Sequence, residues 1–149
     1  MPRRITFLLF AGLSLVAFVA TDLGFDALAR IRISGEQLPH AIVEPAYYMA
    51  VQPIGTLFMF SPFLVLAWIC ASLARASLRR GSWLLIAGFA VLAYMFYVGH
   101  INAQMALTQH KWTAAALSVG LIPFKSVLVL GVCLVLRFVL VPHNEPAKT

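Results

Sequence analysis

The sequence is poor in charged residues. Asp, Glu, Lys and Arg make up 11% of its 149 residues, against roughly 25% in a typical soluble domain. Hydrophobic residues account for 62%. A soluble chain needs far more polar surface than this to cover its core. The shortage of charge therefore excludes an ordinary soluble domain and indicates a membrane protein.

Cysteines and catalytic motifs are also scarce. Cys70 and Cys133 are the only cysteines, and their spacing supports neither a disulfide, nor a metal site, nor a redox pair. The sequence contains no HExxH motif, no Gly-rich phosphate loop and no nucleophile beside a base. We therefore expect no cofactor and no metal, and a non-enzymatic protein is favoured over an enzyme.

Long apolar runs are what the chain does have. A membrane-spanning helix needs about 20 apolar residues, and four segments are long enough: 5–29, 46–74, 83–106 and 112–141. All four exceed the roughly 9–11 residues of a membrane strand. The sequence predicts an all-α integral membrane protein, a single antiparallel bundle of four transmembrane helices, followed by a disordered tail at 142–149.

The net charge of +6 is unevenly distributed, which indicates how the bundle is oriented. One side of the predicted bundle carries most of the basic residues, namely Arg3, Arg4, Arg75, Arg79, Arg80, Arg137 and Lys148. The other side has Arg30, Arg32 and Lys111. The positive-inside rule then predicts a multi-pass protein of the inner (cytoplasmic) membrane with both termini in the cytoplasm. The basic clusters fit the surface of a lipid bilayer, so no nucleic-acid partner is expected.

The first apolar run has an alternative interpretation as a cleavable signal peptide, because two arginines precede it. Asp22 and Asp26 lie within the run, which is also long for a signal sequence. An uncleaved span is therefore favoured.

The connection at 30–44 is the longest between predicted spans. Pro39 argues against a long helix there, so we expect a short extended piece or an interfacial turn. Pro45 is a favoured first residue for the second helix. Pro53 and Pro62 then fall inside that helix and are expected to bend it.

Several polar residues are predicted to lie deep in the membrane. At a rise of about 1.5 Å per residue, Lys125 falls near the bilayer midplane and Asp22 and His100 roughly 8 Å outside it. Gln52 lies about 12 Å out, and Asn102 is also farther out than His100. We predict a polar cavity open to the outside, floored by Lys125 and walled by Asp22, Gln52 and His100. These five residues are the candidates for substrate binding or proton handling.

Lys125 is the most costly of these residues. A lysine at the centre of a membrane helix costs about 2.5–3.5 kcal/mol on insertion scales. It must pair, lose its proton or face water, and Asp22 is the best partner by depth. Such a pair could fix helix packing, or it could bind an anionic group or take part in a proton-coupled step.

His100 also has alternatives. The favoured one is a histidine hydrogen-bonded inside the bundle, ahead of proton or substrate handling and of metal or haem ligation. A second constellation, Glu36-His40-Glu44, has the i, i+4 spacing of one helical face and could act on a lipid head group. Pro39 argues against the helix that this arrangement needs.

Three classes of function follow from this sequence. The leading one is a non-enzymatic accessory subunit, such as a transporter subunit, an assembly factor or an immunity-type protein, that binds a membrane-protein partner or a second copy of itself. The second is a small oligomeric carrier or channel using Asp22, Gln52, His100 and Lys125. The third is a membrane enzyme acting on a lipid or quinone.

Overall fold

A computed structural model describes residues 3–141 of the chain, and the described part is helical with no strand. The predicted all-α class is confirmed. The predicted disordered tail at 142–149 lies outside the described residues. The helices are α1 Arg3–Ala29, α2 Leu38–Val51, α3 Pro53–Ala74, α4 Leu78–Thr108, α5 Trp112–Gly120 and α6 Ile122–Leu140.

Four helical segments are long and apolar enough to cross a membrane. They are Arg4–Ser34, Pro53–Ala74, Leu78–Thr108 and Trp112–Leu140. Each overlaps one of the four apolar runs of the sequence, so the predicted number of helices long and apolar enough to span a membrane is confirmed.

The centre of the bundle is the α3–α4 pair. Each of these helices packs against both α1 and α6, and residues 75–77 alone connect them. Phe18 of α1, Phe63 of α3 and Phe96 of α4 are almost fully buried between the helices. Their rings meet edge to face, with centroids 5.5–6.2 Å apart, a geometry favoured by aromatic quadrupoles.

One end of the bundle gathers arginines, and we call it the basic end. Arg4 and Arg75 border the same groove. Arg80 donates a hydrogen bond to the carbonyl of Leu140 at 2.7 Å. The guanidinium of Arg137 lies over the Trp68 ring, 5.9 Å from its centroid. Helix ends from distant parts of the chain therefore share this basic surface.

The connection at 30–44 is helical, and the expectation of an extended piece or turn was wrong. α1 continues as a π-helical turn at Arg30–Ser34, closed by Gly35 in the left-handed conformation with φ 68°. α2 then begins at Leu38. Pro39 lies in its first turn, where a helix needs no backbone N–H donor, so the proline starts this helix and does not prevent it.

The prediction that the second helix starts at Pro45 was also wrong. Pro45 lies inside α2, and the chain breaks at Gln52, with φ −117° and ψ 63°, before α3 begins at Pro53. Pro53 disfavours a helical conformation for the preceding residue. It also leaves the Met49 carbonyl without its usual N–H partner, and the Thr56 hydroxyl donates to that oxygen at 2.8 Å.

The fourth apolar run is interrupted in the same way. α5 ends at Gly120 and α6 begins at Ile122. Pro123 lies in the first turn of α6 and has no N–H to offer the carbonyl of Val119. The N–H of Leu121 bonds to the carbonyl of Leu117 at 3.1 Å. The membrane segment is therefore two helices, of 9 and 19 residues, with a break at Leu121 between them.

Gly81 of α4 packs directly against Ala74, the last residue of α3. A Cβ added at Gly81 would lie 2.6–2.7 Å from the Cβ, Cα and N atoms of Ala74. We expect Gly81→Ala to destabilise the protein by about 1–3 kcal/mol, because the helices must move apart to relieve the overlap. The measurement is the temperature at which the detergent-purified protein loses its monodisperse gel-filtration peak.

Gly131 provides the matched control, since a Cβ there would meet nothing within 4 Å. Gly131→Ala should leave that temperature unchanged or raise it, because alanine is the better helix former. Equal losses for the two variants would contradict this account of the α3–α4 contact.

Candidate functional site

The site begins with a hydrogen bond between side chains of two membrane helices. Asp22 of α1 and His100 of α4 meet through Oδ1 and Nε2 at 2.9 Å. The His100 side chain is 8% exposed and that of Asp22 is 21% exposed. Both residues were predicted from the sequence, at about the same depth, and the structure brings them together.

The second nitrogen of His100 also faces a carboxylate. Its Nδ1 lies 3.6 Å from Oδ1 of Asp26, one helical turn beyond Asp22 on α1. An imidazole donates through both nitrogens only when both carry a hydrogen. The ring therefore has a hydrogen-bonded carboxylate at Nε2 and a second carboxylate near Nδ1, just beyond hydrogen-bond distance.

Arg30 extends this chain of charges. Its Nε lies 3.0 Å from Oδ2 of Asp26. The Nη1 atom lies 2.6 Å from Oε2 of Glu44 and 3.5 Å from Oε2 of Glu36. One guanidinium thus serves three carboxylates from α1, the segment before α2, and α2. We call Asp22, Asp26, Arg30, Glu36, Glu44 and His100 the acidic cluster.

The π-helical turn contributes to this arrangement. It ends α1 beside Arg30, and the hydroxyl of Ser34 in the same turn donates to Oε1 of Gln104 on α4 at 3.3 Å. Gln104 is buried. The turn therefore anchors the end of α1 to α4 next to the acidic cluster.

A cavity of about 420 Å³ opens beside these groups; we call it the acidic cavity. Asp22, Asp26, Arg30 and His100 contribute its charged wall. The rest of its lining includes Tyr48, Met49, Gln52, Thr56, Phe58, Met59, Val119 and Gly120. Residues from both helix breaks, Gln52 and Gly120, therefore border it.

An aromatic layer lies below the charged wall. Phe96 is one turn from His100 on α4, with ring centroids 6.1 Å apart. Phe18 lies one turn from Asp22 on α1 and packs against Phe60 at 5.4 Å. These rings separate the acidic cavity from the half of the bundle that ends in arginines.

Lys125 is not part of this cavity. The expectation that it forms the floor and shares a polar interior with Asp22 was wrong, because Asp22 pairs with His100. Every salt bridge among residues 3–141 involves Arg30 or His100, so Lys125 has none there. Lys125 borders a separate groove between α4 and the α5–α6 segment, together with Asn102.

Of the five candidates, the structure therefore groups Asp22, Gln52 and His100 at the acidic cavity. Lys125 and Asn102 belong to the other groove. A fixed rise per residue estimates how deep each polar residue lies in the membrane. It does not tell toward which neighbouring helix the side chain points.

Asp26 and Arg30 are the main residues that the sequence analysis missed. Together with Asp22 they occupy i, i+4 and i+8 positions, which lie on one face of a helix. This spacing can be read from the sequence. The predicted first span stops at residue 29, however, so Arg30 falls in the connection and not on the helix.

The Glu36-His40-Glu44 constellation is not assembled. Both glutamates face Arg30, and His40 is exposed on the first turn of α2. Among the described residues, no group of three or more His, Cys, Asp or Glu side chains is arranged to hold a metal ion.

Comparisons with protein-family models, curated proteins and solved structures found no match for this chain. The acidic cluster and the cavity beside it are therefore the observations from which a function can be argued.

Arg30 should be the main stabilising group of the cluster. We expect Arg30→Met to lower the free energy of unfolding by roughly 1–3 kcal/mol, because the carboxylates of Asp26 and Glu44 lose a hydrogen-bond donor and that of Glu36 loses its neighbouring cation. The measurement is the loss of the monodisperse gel-filtration peak on heating. Arg32→Met is the control, since Arg32 is exposed and forms none of the ion pairs among residues 3–141. Equal effects of the two changes would count against this role of Arg30.

Proposed function

We propose that the chain is a small carrier of the cytoplasmic membrane that binds a small organic cation in the acidic cavity in exchange for a proton. The observation that supports this most is the continuous chain of ionisable groups, Asp22, His100, Asp26 and Arg30, along one wall of a cavity. Intramembrane Asp, Glu and His chains of this kind are typical of proton relays in transporters.

The charge of the cluster favours a cationic ligand. Four carboxylates are matched by the guanidinium of Arg30 and the imidazole of His100. With every carboxylate ionised, negative charge is in excess even when His100 carries its proton. A cation entering the acidic cavity would offset this excess, and it would favour release of the proton from His100 by repulsion.

The other walls favour an organic cation over a metal ion. Tyr48, Met49, Phe58 and Met59 offer aromatic and thioether surface beside the charged wall. Aromatic faces attract alkylammonium groups. The volume of about 420 Å³ is within the range of roughly 300–1,000 Å³ found for small-molecule sites.

The distribution of arginines supports an orientation. With the basic end in the cytoplasm, as the positive-inside rule requires, the four spans run antiparallel, both termini are cytoplasmic and the acidic cavity opens outward. The aromatic layer of Phe18, Phe60 and Phe96 then closes the cytoplasmic side. The breaks at Gln52 and Leu121 border the acidic cavity, and transporters typically form their substrate sites from discontinuous helices of this kind.

The leading expectation from the sequence, a non-enzymatic accessory subunit, needs a lipid-facing interface and not a cavity. It stays a prediction, and the acidic cavity does not favour it. A lipid or quinone enzyme is less supported, because His40 is not placed against Glu36 or Glu44.

An exchange assay in liposomes tests the carrier. Purified protein is reconstituted in vesicles that contain a pH-sensitive dye, and tetraethylammonium is added outside. We expect the vesicle interior to become more alkaline, since each entering cation drives out a proton. Asp22→Asn should slow this change about tenfold or more, because the carboxylate that faces His100 is lost.

Lys111→Gln is the control variant. It removes a charge from the exposed loop before α5, where the Lys111 amine donates a hydrogen bond to Gln109, and it should exchange at the normal rate. No pH change with the unaltered protein, or an Asp22→Asn variant that folds and exchanges normally, would refute the carrier.

A further inference from the structure

Lys125 presents its charge to the lipid side of the bundle. It is exposed on α6, one turn after the break at Leu121. Its amine makes no salt bridge or side-chain hydrogen bond with any residue of 3–141. Phe124 and Leu128 beside it are 62% and 78% exposed, so the lysine lies within an apolar surface.

Lys125 lies too deep in the membrane segment for its amine to reach water. The fourth spanning segment runs Trp112–Leu140, and its middle residue is one position after Lys125. At about 1.5 Å per residue, either end of the segment is roughly 20 Å away. A lysine stem covers only a small part of that distance, so snorkelling does not remove the charge from the hydrocarbon.

A groove of about 190 Å³ lies beside the amine; we call it the Lys125 groove. One wall is Tyr94, Val98 and Asn102, each one turn apart on α4, and the other includes Ser118 and Lys125. The groove is large enough to admit one or two side chains of a neighbouring helix, while the helix itself would lie outside it. Asn102 and Tyr94 add polar groups to its lining.

We propose that the Lys125 groove docks a transmembrane helix of a different membrane protein, whose intramembrane Asp or Glu side chain enters the groove and pairs with Lys125. Charge complementarity is the argument, since a carboxylate is the group that neutralises a lysine in hydrocarbon. α6 is suited to this contact because it lies at the edge of the bundle, packed on α3 and α4.

Residues 3–141 of a second copy of the chain do not provide the carboxylate. The acidic residues at 3–141 are Asp22, Asp26, Glu36 and Glu44, and all four already face Arg30 or His100. They also lie toward the end of the bundle opposite the basic end. The occupant is therefore a partner with its own acidic residue at mid-membrane depth. This inference is independent of the proposed carrier, which does not use Lys125.

Two designed peptides test the inference. Both are transmembrane helices of leucine and alanine, one with a central Glu and the other with a central Gln in the same position. Each is labelled with an acceptor dye and mixed in phosphatidylcholine vesicles with donor-labelled protein. We expect the Glu peptide to associate about fivefold to thirtyfold more strongly than the Gln peptide, as for one strong interhelical contact.

Variants of the protein distinguish a specific contact with Lys125 from non-specific association of the peptides. Lys125→Met should abolish the preference for the Glu peptide, and Lys125→Arg should keep most of it, because the positive charge remains. Lys111→Met, which removes a lysine outside the helices, should keep it fully. Lys125→Met removes a costly charge and is therefore expected to fold.

Three results would overturn the proposal. One is equal association of the Glu and Gln peptides with the unaltered protein. Another is a preference that survives Lys125→Met. The third is energy transfer between donor-labelled and acceptor-labelled copies of the protein that Lys125→Met removes, because the groove would then be occupied by a second copy.

Discussion

The acidic cluster is held together by the ion pairs of one arginine, Arg30. An unpaired charge in a low-dielectric interior is strongly unfavourable, yet α1 carries two aspartates in its membrane-spanning part. Arg30 bonds to Asp26 from the same helix and to Glu44 from α2, so it joins two helices through charges that each needed a partner. His100 does the same for Asp22. Polar pairing therefore sets the position of α1, α2 and α4 where hydrophobic burial alone cannot, since lipid competes equally for apolar surfaces.

The prolines follow a second constraint, that backbone carbonyls deprived of an N–H partner must find another donor in the membrane. Thr56 supplies a hydroxyl to Met49 beside Pro53. Ser61 supplies one to Phe58 beside Pro62. These hydroxyls make it possible for the chain to break or bend without leaving bare carbonyls. The break at Gln52 is thereby compatible with a membrane protein. Residues of this break and of the break at Leu121 border the acidic cavity.

The sequence was sufficient for the helical class and the four spanning segments, because length and hydropathy decide these almost alone. It also identified Asp22 and His100 by depth. It failed where rotation about a helix axis matters. The estimated depths of Lys125 and Asp22 are close enough for a lysine stem to span, but the two residues border different cavities, and depth carries no information about direction. It failed as well at Pro39, where a proline that can end a helix instead begins one, and so the link from Arg30 to Glu44 was not foreseen.

Arg30 and Lys125 are two cationic side chains in one small bundle that differ in how their charge is neutralised. Arg30 has three carboxylates within 3.5 Å, more than its single charge requires, which leaves negative charge to attract a ligand. Lys125 has no carboxylate among residues 3–141 and lies on a peripheral helix. A lipid-facing charge that the chain itself leaves unpaired costs stability in the isolated protein. The two sites therefore require compensation from different sources. A small cation can satisfy the first from the aqueous side, whereas only a group already within the membrane can satisfy the second.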